Sequence, residues 1–310
     1  MKTTLLFLSV FLSASLFGQN VYIPNANFKA YLVGNSEINT NGDNEIQVSE
    51  ATAFDGAIYC YSQGISDMTG IEAFTALTEL WCWGNQLTTL DVSQNTTLTE
   101  LDCSENQLTT LDVSQNTALT ELWCRNNQLT SLDVSQDTAL TYLHCGSNQL
   151  TSLDVSQNTA LEYLNCQMNQ LTSLDVTQNL LLDDLFCSNN QLTYLDLTSQ
   201  PFLTHLFLEG NNLTSLDISH MSCPGLAEAN LSNPNLFCIE VSNVECWYEP
   251  FTSWMIDPSF QYYSENCTSS VGINQLSTSK NLIQILDLMG RETSFKPNTP
   301  LIYVYDDGSI

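Results

Sequence analysis

The sequence predicts a mostly β solenoid with parallel sheets, capped at both ends and followed by a small C-terminal β-hairpin. Leucines recur every 21 residues from Leu77 to Leu203, and within each unit apolar and polar residues alternate in two short stretches. The segments on either side lack this repeat. A fixed period of about 20 to 50 residues is typical of solenoids, whose stacked coils share one core. Their terminal coils need caps because the core would otherwise be exposed.

Each unit consists of two half-units, LxxLxCxxN and LxxLxVxxN; residues 119–139, for example, read LTELWCRNNQLTSLDVSQDTA. Side chains alternate between the two faces of an extended strand, so alternate residues are predicted to point into the core. In this unit the inward residues are Leu119, Leu122, Cys124, Leu129, Leu132 and Val134.

The pattern resembles the leucine-rich-repeat family over roughly residues 60 to 220, in the bacterial form that nests a second half-repeat in one 21-residue unit. The resemblance implies a scaffold for protein interaction rather than an enzyme. The solenoid is assigned to residues 77–222 and the N-terminal cap to residues 19–76.

Two columns of the repeat are predicted to be structural. The asparagine column is expected to bond backbone groups at the turns; it comprises Asn85, Asn106, Asn127, Asn148, Asn169 and Asn190. The cysteine column is expected to be free, buried core thiols; it comprises Cys82, Cys103, Cys124, Cys145, Cys166 and Cys187, preceded by an imperfect first member, Cys60.

The outward residues of the two half-units differ in how much they vary. In the second half-unit an aspartate stands at the same outward position in every coil, from Asp91 to Asp217. In the first half-unit the outward residues vary and include aromatic rings, which is typical of a recognition surface. The predicted binding residues are Glu79, Trp81, Trp83, Glu100, Asp102, Glu121, Trp123, Arg125, Tyr142, His144, Tyr163, Phe186, His205 and Phe207.

This face predicts a role in protein recognition or adhesion. Tryptophan and tyrosine also stack on sugar rings, so a glycan-binding adhesin is the alternative. A third alternative is a polysaccharide-degrading enzyme, since stacked acids such as Glu100, Asp102 and Glu121 could approach the carboxylate spacing of a retaining glycosidase. No catalytic residue is assigned, and Trp81 and Trp123 are expected to be two coils and about 10 Å apart.

The formal net charge of −28, from 34 acidic and 6 basic residues, limits the partners. Nucleic acids and anionic membrane surfaces need clustered lysine and arginine, which the sequence lacks. We expect a protein or a glycan, with a basic or neutral polar surface, outside the cell or at the cell surface. Residues 1–18 have the charged start and short apolar core of a secretory signal.

Within the N-terminal cap, residues 39–50 resemble the calcium-binding loop of EF-hands. The resemblance implies Asn39, Asn41, Asp43, Glu45 and Glu50 as ligands, and no cofactor other than this calcium is predicted. The first ligand is Asn instead of Asp, and Asn44 replaces the glycine of the sharp turn. An acidic turn without an ion is the alternative.

Four irregularly spaced cysteines mark a C-terminal cap at residues 223–267. Of the three possible pairings we prefer Cys238 with Cys267 and Cys223 with Cys246. Residues 268–281 are polar and are predicted to be a linker. Residues 282–310 look like a short form of the C-terminal sorting segment of type IX secretion cargo, and the alternative is a last pair of strands on the cap.

Overall fold

The structure is a computed structural model that describes residues 19–221, 226–236, 238–242, 254–255, 262–264, 267, 282–287 and 301–305. Its helices are α1 (Ala26–Gly34) and α2 (Val48–Ala53), with a 3-10 helix at Ile71–Ala73. Its strands are β1 (Ala57–Tyr59), β2 (Glu79–Trp81), β3 (Glu100–Asp102), β4 (Glu121–Trp123), β5 (Tyr142–His144), β6 (Tyr163–Asn165), β7 (Asp184–Phe186), β8 (His205–Phe207), β9 (Ser215–Asp217), β10 (Glu228–Asn230), β11 (Cys238–Glu240), β12 (Trp254–Met255), β13 (Tyr262–Ser264), β14 (Leu282–Asp287) and β15 (Leu301–Tyr305).

Ten of these strands form one parallel sheet in the order β1-β2-β3-β4-β5-β6-β7-β8-β10-β12. From β2 to β8 the register is strict, because each residue pairs with the one 21 positions later, as Leu101, Leu122 and Leu143 do. Strands β9, β11 and β13 form a second parallel sheet, and β14 pairs with β15 in an antiparallel hairpin. The predicted mostly β solenoid and its C-terminal hairpin are confirmed.

The core consists of the leucine, cysteine and valine columns, which stack from coil to coil. In the coil that contains β4, Leu122, Cys124 and Val134 have no exposed surface, and Leu132 is 8% exposed. The predicted inward positions are therefore confirmed. Seven free cysteines in the described part of the chain are buried, from Cys60 to Cys187.

The second half-unit is less regular than its alternation predicts. No strand is present there until Ser215–Asp217 in the described residues, although its leucines and valines are buried. The carboxylate of Asp133 accepts a hydrogen bond from the N–H of Ser135 at 3.0 Å, and Asp112 and Ser114 repeat this bond at 2.9 Å. Such side-chain bonds use N–H groups that a strand would direct to its neighbour.

The asparagine column holds successive coils together at the turn after each strand. Nδ2 of Asn127 donates to the carbonyls of Cys103 at 3.0 Å and Cys124 at 3.1 Å. Its Oδ1 accepts the N–H of Leu108 at 3.0 Å. One buried side chain thus satisfies backbone groups of two adjacent coils, as predicted for this column.

The residue before each of these asparagines adopts a left-handed conformation. Glu105 and Met168 have φ of 55°, and Gly84 and Gly210 occupy the same column with φ of 69°. A non-glycine residue pays roughly 1–2 kcal/mol for this geometry. The turn tolerates this cost because the asparagine that follows makes three buried hydrogen bonds.

Both flanking segments contribute strands to the main sheet. The N-terminal segment supplies β1, and its side chains Phe28, Leu32, Ile38 and Ile46 join the common core. Helix α1 begins where the side chain of Asn25 accepts the N–H of Phe28 at 3.0 Å, a stabilising N-cap. On the other side, β10 and β12 extend the sheet to Met255.

Several predictions concern residues that the structure describes only in part. Cys238 and Cys267 form a disulfide, whereas Cys223 and Cys246 lie outside the described residues, as do the signal at 1–18 and the linker at 268–281. The side chains of the C-terminal hairpin are also outside them. Among the described residues, no helix is long and apolar enough to cross a membrane.

We predict that Asn127→Ala lowers the free energy of unfolding by about 2 kcal/mol or more, because it leaves buried N–H and carbonyl groups of two coils without partners. Gln128→Ala is the matched control, since the Gln128 side chain is exposed and its backbone bond to Leu108 is retained. The measurement is urea unfolding followed by circular dichroism. Equal midpoints for the two variants would refute the role of the column.

Candidate binding face

The fourteen predicted binding residues come together on one surface. All lie on the outer side of strands β2–β8 or directly after a strand, and all are half-buried. We call this surface the binding face. Its strands are each three residues long and repeat in strict register.

Aromatic rings on the binding face form a continuous row along the solenoid axis. Successive ring centroids are 5.6 Å apart at Tyr59–Trp81, 5.8 Å at Trp81–Trp123 and 4.9 Å at Trp123–Tyr142. They are then 4.0 Å apart at Tyr142–Tyr163, 5.3 Å at Tyr163–Phe186 and 4.9 Å at Phe186–Phe207. Such pairs contribute about 0.5–1.5 kcal/mol each beyond area burial. We call these seven rings the aromatic row.

The rings of Trp81 and Trp123 were expected about 10 Å apart, and this prediction is wrong, because their centroids are 5.8 Å apart. Their backbones are two coils apart, but the large side chains lean toward each other over the smaller Asp102. Burial raises the pKa of Asp102, against the lowering effect of its bonds to Ser104. The two tryptophans are therefore one packed cluster and not independent anchors.

Two aromatic residues of this surface escaped the sequence prediction. Tyr59 begins the aromatic row, and its hydroxyl donates to Glu79 at 2.7 Å, which raises its pKa to about 12. Tyr61 stacks on Trp83 with centroids 4.9 Å apart and planes 7° apart. Both could have been found from Cys60, which lies between them in the sequence. Its distance from Cys82 marks an earlier, imperfect coil, in which Tyr59 and Tyr61 are the outward residues.

Acidic side chains border the rings at the N-terminal end of the binding face. Glu79, Glu100 and Glu121 are paired neighbours on β2, β3 and β4. Burial raises the pKa of Glu100, and the charges of Glu79 and Glu121 raise it further. The one arginine of the face, Arg125, is paired with Glu105 at 2.8 Å. This end of the face is consequently a negative surface.

The histidines of the face do not form a catalytic relay. Burial, with a smaller effect of Arg125, lowers the pKa of His144 to about 4, so its ring is neutral at pH 7. Nδ1 of His205 contacts the carboxylate of Asp184 and also lies 3.0 Å from the hydroxyl oxygen of Thr204. A relay requires the nucleophile and the orienting acid on opposite ring nitrogens of the histidine base, whereas here Thr204 and Asp184 share Nδ1.

The aspartate column of the second half-unit has a structural explanation. Asp112, Asp133 and Asp154 are exposed, and hydrogen bonds from the serine two residues on lower their pKa values. The serine bonds stabilise the charged carboxylates and so offset part of the repulsion between neighbours in the column. The column therefore provides turn bonds on a side of the solenoid away from the binding face.

The loop predicted to bind calcium follows α1 and ends in the first turn of α2, which contains Glu50, and hydrogen bonds close it. Nδ2 of Asn39 donates to the carbonyl of Asp43 at 2.8 Å, and Oδ1 of Asn41 accepts the N–H of Asp43 at 2.7 Å. Glu50 accepts from Thr40, Asn41 and Gln47. Burial raises the pKa of Glu50, but these bonds together outweigh it and lower the pKa.

The side chain of Glu45 is paired with Lys29 at 2.7 Å, which leaves the EF-hand role of this position intact because it ligates through its backbone carbonyl. One further feature separates this loop from the EF-hand pattern. The left-handed residue of the loop is Gly42, with φ of 71°, and not Asn44. Among the described residues, no group of three histidine, cysteine, aspartate or glutamate side chains could hold a metal ion. Calcium binding through the asparagine and acidic oxygens of the loop stays a prediction.

The comparisons with known proteins agree with this geometry. The family model of leucine-rich repeats in two copies matches residues 96–136. The solenoid is built of leucine-rich repeats. Internalin J of Listeria monocytogenes serotype 4b is 41% identical over 78 residues, which are 25% of this chain and 8% of that protein. The match thus spans only a small part of the length of that protein.

Two solved structures have similar folds. The functional domain of internalin J from Listeria monocytogenes, which includes a cysteine ladder, has a TM-score of 0.57 at 36% identity; the match covers 72% of this chain and 56% of that one. Internalin C2 from the same species has a TM-score of 0.56 at 22% identity, over 70% of this chain and 93% of that one. The second likeness shows the fold alone.

We predict that Trp123→Ala lowers the free energy of unfolding by about 2 kcal/mol or more, because its ring packs between Trp81 and Tyr142. Tyr194→Ala, which removes a ring that is 68% exposed, should change stability by less than about 0.5 kcal/mol. Urea unfolding of both variants provides the test. A Trp123 variant as stable as the Tyr194 variant would contradict the packed row.

If residues 39–50 bind calcium, the melting temperature should be higher in calcium than in EDTA, because a ligand that binds only the folded state stabilises it. Asp43→Asn should abolish the increase by removing a carboxylate ligand, whereas Glu37→Gln, outside the loop, should retain it. Differential scanning calorimetry in both buffers is the measurement. Identical melting temperatures for the wild type would reject the site.

Proposed function

We propose that this protein recognises a partner protein through the binding face, outside the cell or at the cell surface. The observation that carries the proposal is the aromatic row, seven contacting rings on the outer side of one rigid sheet. Rings held by their neighbours lose little conformational entropy on binding, which favours affinity. Aromatic residues are also enriched among interface positions that dominate binding energy.

The charge around the row indicates the chemistry of the partner. Glu79, Glu100 and Glu121 lie next to the tryptophans, and Arg125 is occupied by Glu105. A partner with lysine or arginine around an apolar centre would neutralise the acids and place its cations against the rings. The net charge of −28 would also accelerate the approach of such a partner at low ionic strength.

The binding face is better suited to this role than the aspartate column. The carboxylates of the column are engaged with N–H groups of their own turns, at 2.9–3.0 Å in Asp112, Asp133 and Asp154. The outward residues next to these three aspartates are serines and threonines, with little apolar area to bury. The binding face combines apolar rings, acids and variation between coils, which together allow one partner to be distinguished from another.

Glycan binding remains the second candidate, because the ring faces of an aromatic row also suit sugar rings. A polysaccharide-degrading activity is the third. Glu100 has the raised pKa that a general acid needs. Its neighbours on the sheet, however, are two further glutamates, and the shared Nδ1 of His205 provides no relay.

A random peptide library displayed on phage, selected against the immobilised full chain, tests the proposal. We expect enriched peptides to contain lysine or arginine together with aromatic residues. In parallel, arrayed polysaccharides are incubated with the protein and assayed for retention of the protein and for new reducing ends. Retention of a glycan without peptide enrichment would favour the adhesin, and new reducing ends would favour the enzyme.

Variants then locate the site on the solenoid. Tyr142→Ala with Tyr163→Ala removes the closest stacked pair of the row, and we expect at least about a 30-fold loss of affinity for a selected peptide, or about 2 kcal/mol. Tyr194→Ala is the matched aromatic control beside Asp175 and Asp196. Loss of binding in the control but not in the pair would place the site on the other side of the solenoid.

A further inference from the structure

A second column of buried polar side chains runs along the solenoid at the end of each coil. It comprises Asn95, Asn116, Asp137, Asn158, Asn179 and Gln200, and all six have no exposed surface. Nδ2 of Asn116 donates to the carbonyls of Val92 at 3.0 Å and Asn95 at 2.9 Å. Asn158 and Asn179 repeat these two bonds two and three coils later. The position therefore requires a side chain that donates to two carbonyls of the coil before it.

Asp137 departs from this rule. It occupies the same position, yet neither of its carboxyl oxygens has a hydrogen-bond partner. The 21-residue register places its side chain opposite the carbonyls of Val113 and Asn116, the counterparts of the two acceptors that Asn116 uses. A carboxylate cannot donate, so it would place a negative charge beside carbonyl oxygens without compensation. A protonated carboxyl could donate one of the two bonds.

We propose that Asp137 is protonated in the folded protein and acts as a pH-sensitive switch in the third coil, where its side chain faces the second coil and its backbone bonds the fourth. The group sits where the chain leaves one coil and enters the next. Its carbonyl accepts the N–H of Leu140 at 3.1 Å and Nδ2 of Asn158 at 2.9 Å. A charge on the Asp137 side chain is therefore placed against the second coil, at a residue whose backbone bonds the fourth coil, so it acts on the stacking of all three.

The charged groups around the joint favour the protonated form. Asp133 of the same coil and Asp112 of the coil before it are negative, and Asp154 of the next coil continues their column. The basic residue of these coils, Arg125, is paired with Glu105 on the binding face. Burial, and then the charges of Asp133 and Asp112, raise the pKa of Asp137 to about 7.

The direction of the pH effect follows from the proton count. In the unfolded chain an aspartate has a pKa of about 3.9. Between that value and about 7 the folded state holds a proton that the unfolded state has lost, so stability falls as pH rises through this range. The stabilising effect is complete below about pH 4 and is lost above about pH 7. Each pH unit within the window changes the unfolding constant about tenfold.

The switch and the middle of the aromatic row belong to the same coils. Strand β5 begins five residues after Asp137, and the contact of Trp123 with Tyr142, at 4.9 Å, joins the third coil to the fourth. Deprotonation weakens the stacking of the coils that carry this contact, so the two halves of the row are held together more firmly at acidic pH. This inference does not depend on which partner the binding face takes.

Asp137→Asn is the sharpest test, because it restores the side chain found in the neighbouring coils at nearly the same volume. Urea unfolding of the wild type, Asp137→Asn and Asp133→Asn is measured at pH 5 and pH 8. From pH 5 to pH 8 we expect the unfolding constant of the wild type to increase about 100-fold relative to that of Asp137→Asn. Asp133→Asn, which changes an exposed carboxylate, should keep most of the dependence of the wild type.

Two further measurements separate a local switch from a general charge effect. Hydrogen exchange of the Leu140 amide should accelerate at pH 8 in the wild type, after correction for intrinsic rates, and not in Asp137→Asn. Asn116→Asp should introduce a second dependence of the same sign one coil earlier. The proposal is overturned if Asp137→Asn and the wild type show the same pH dependence, or if the carbon-13 shift of the Asp137 carboxyl shows ionisation below pH 5.

Discussion

Bonds from buried amide side chains to the backbone of adjacent coils are the interaction on which the rest of the structure depends. A chain that returns to the same place every 21 residues must turn several times per coil, and each turn leaves N–H and carbonyl groups inside the molecule. Asn127 satisfies such groups after a strand, and Asn116 satisfies two carbonyls at the end of a coil. The strands themselves are only three residues long, so their own hydrogen bonds could not define the stacking alone.

Strict stacking has a direct consequence for the outer surface. Because the register from β2 to β8 is constant, any outward position becomes a straight column along the axis. Large side chains placed on such columns are close enough to pack on one another, as Tyr142 and Tyr163 do at 4.0 Å. The scaffold thus converts a scattered set of aromatic residues into one surface, and variation between coils alters that surface without altering the core.

The same regularity makes departures from the repeat informative. Asp137 differs from the asparagine of the neighbouring coils by the replacement of an amide with a carboxyl, which has no donor when charged and one when protonated, in a buried position where the amide makes two bonds. His205 is the opposite case, because its polar atom has partners. Asp184 and Thr204 both contact one ring nitrogen of His205, and this arrangement does not create a relay. The effect of a residue that differs from the rest of its column can therefore be judged only from the hydrogen bonds that the other members of the column make.

The sequence by itself determined the repeat, the inward columns, the role of the first asparagine column and the outward position of every residue of the binding face. These follow from spacing and alternation, which are local properties of the chain. Contacts between side chains on different coils were decided by the tertiary structure. Trp81 reaches Trp123 over Asp102, Tyr59 and Tyr61 extend the ring contacts by one coil, and the aspartate turns replace strands in the second half-unit. The physical reason is that spacing defines where a side chain starts, whereas its length and the size of its neighbours on other coils define where it ends.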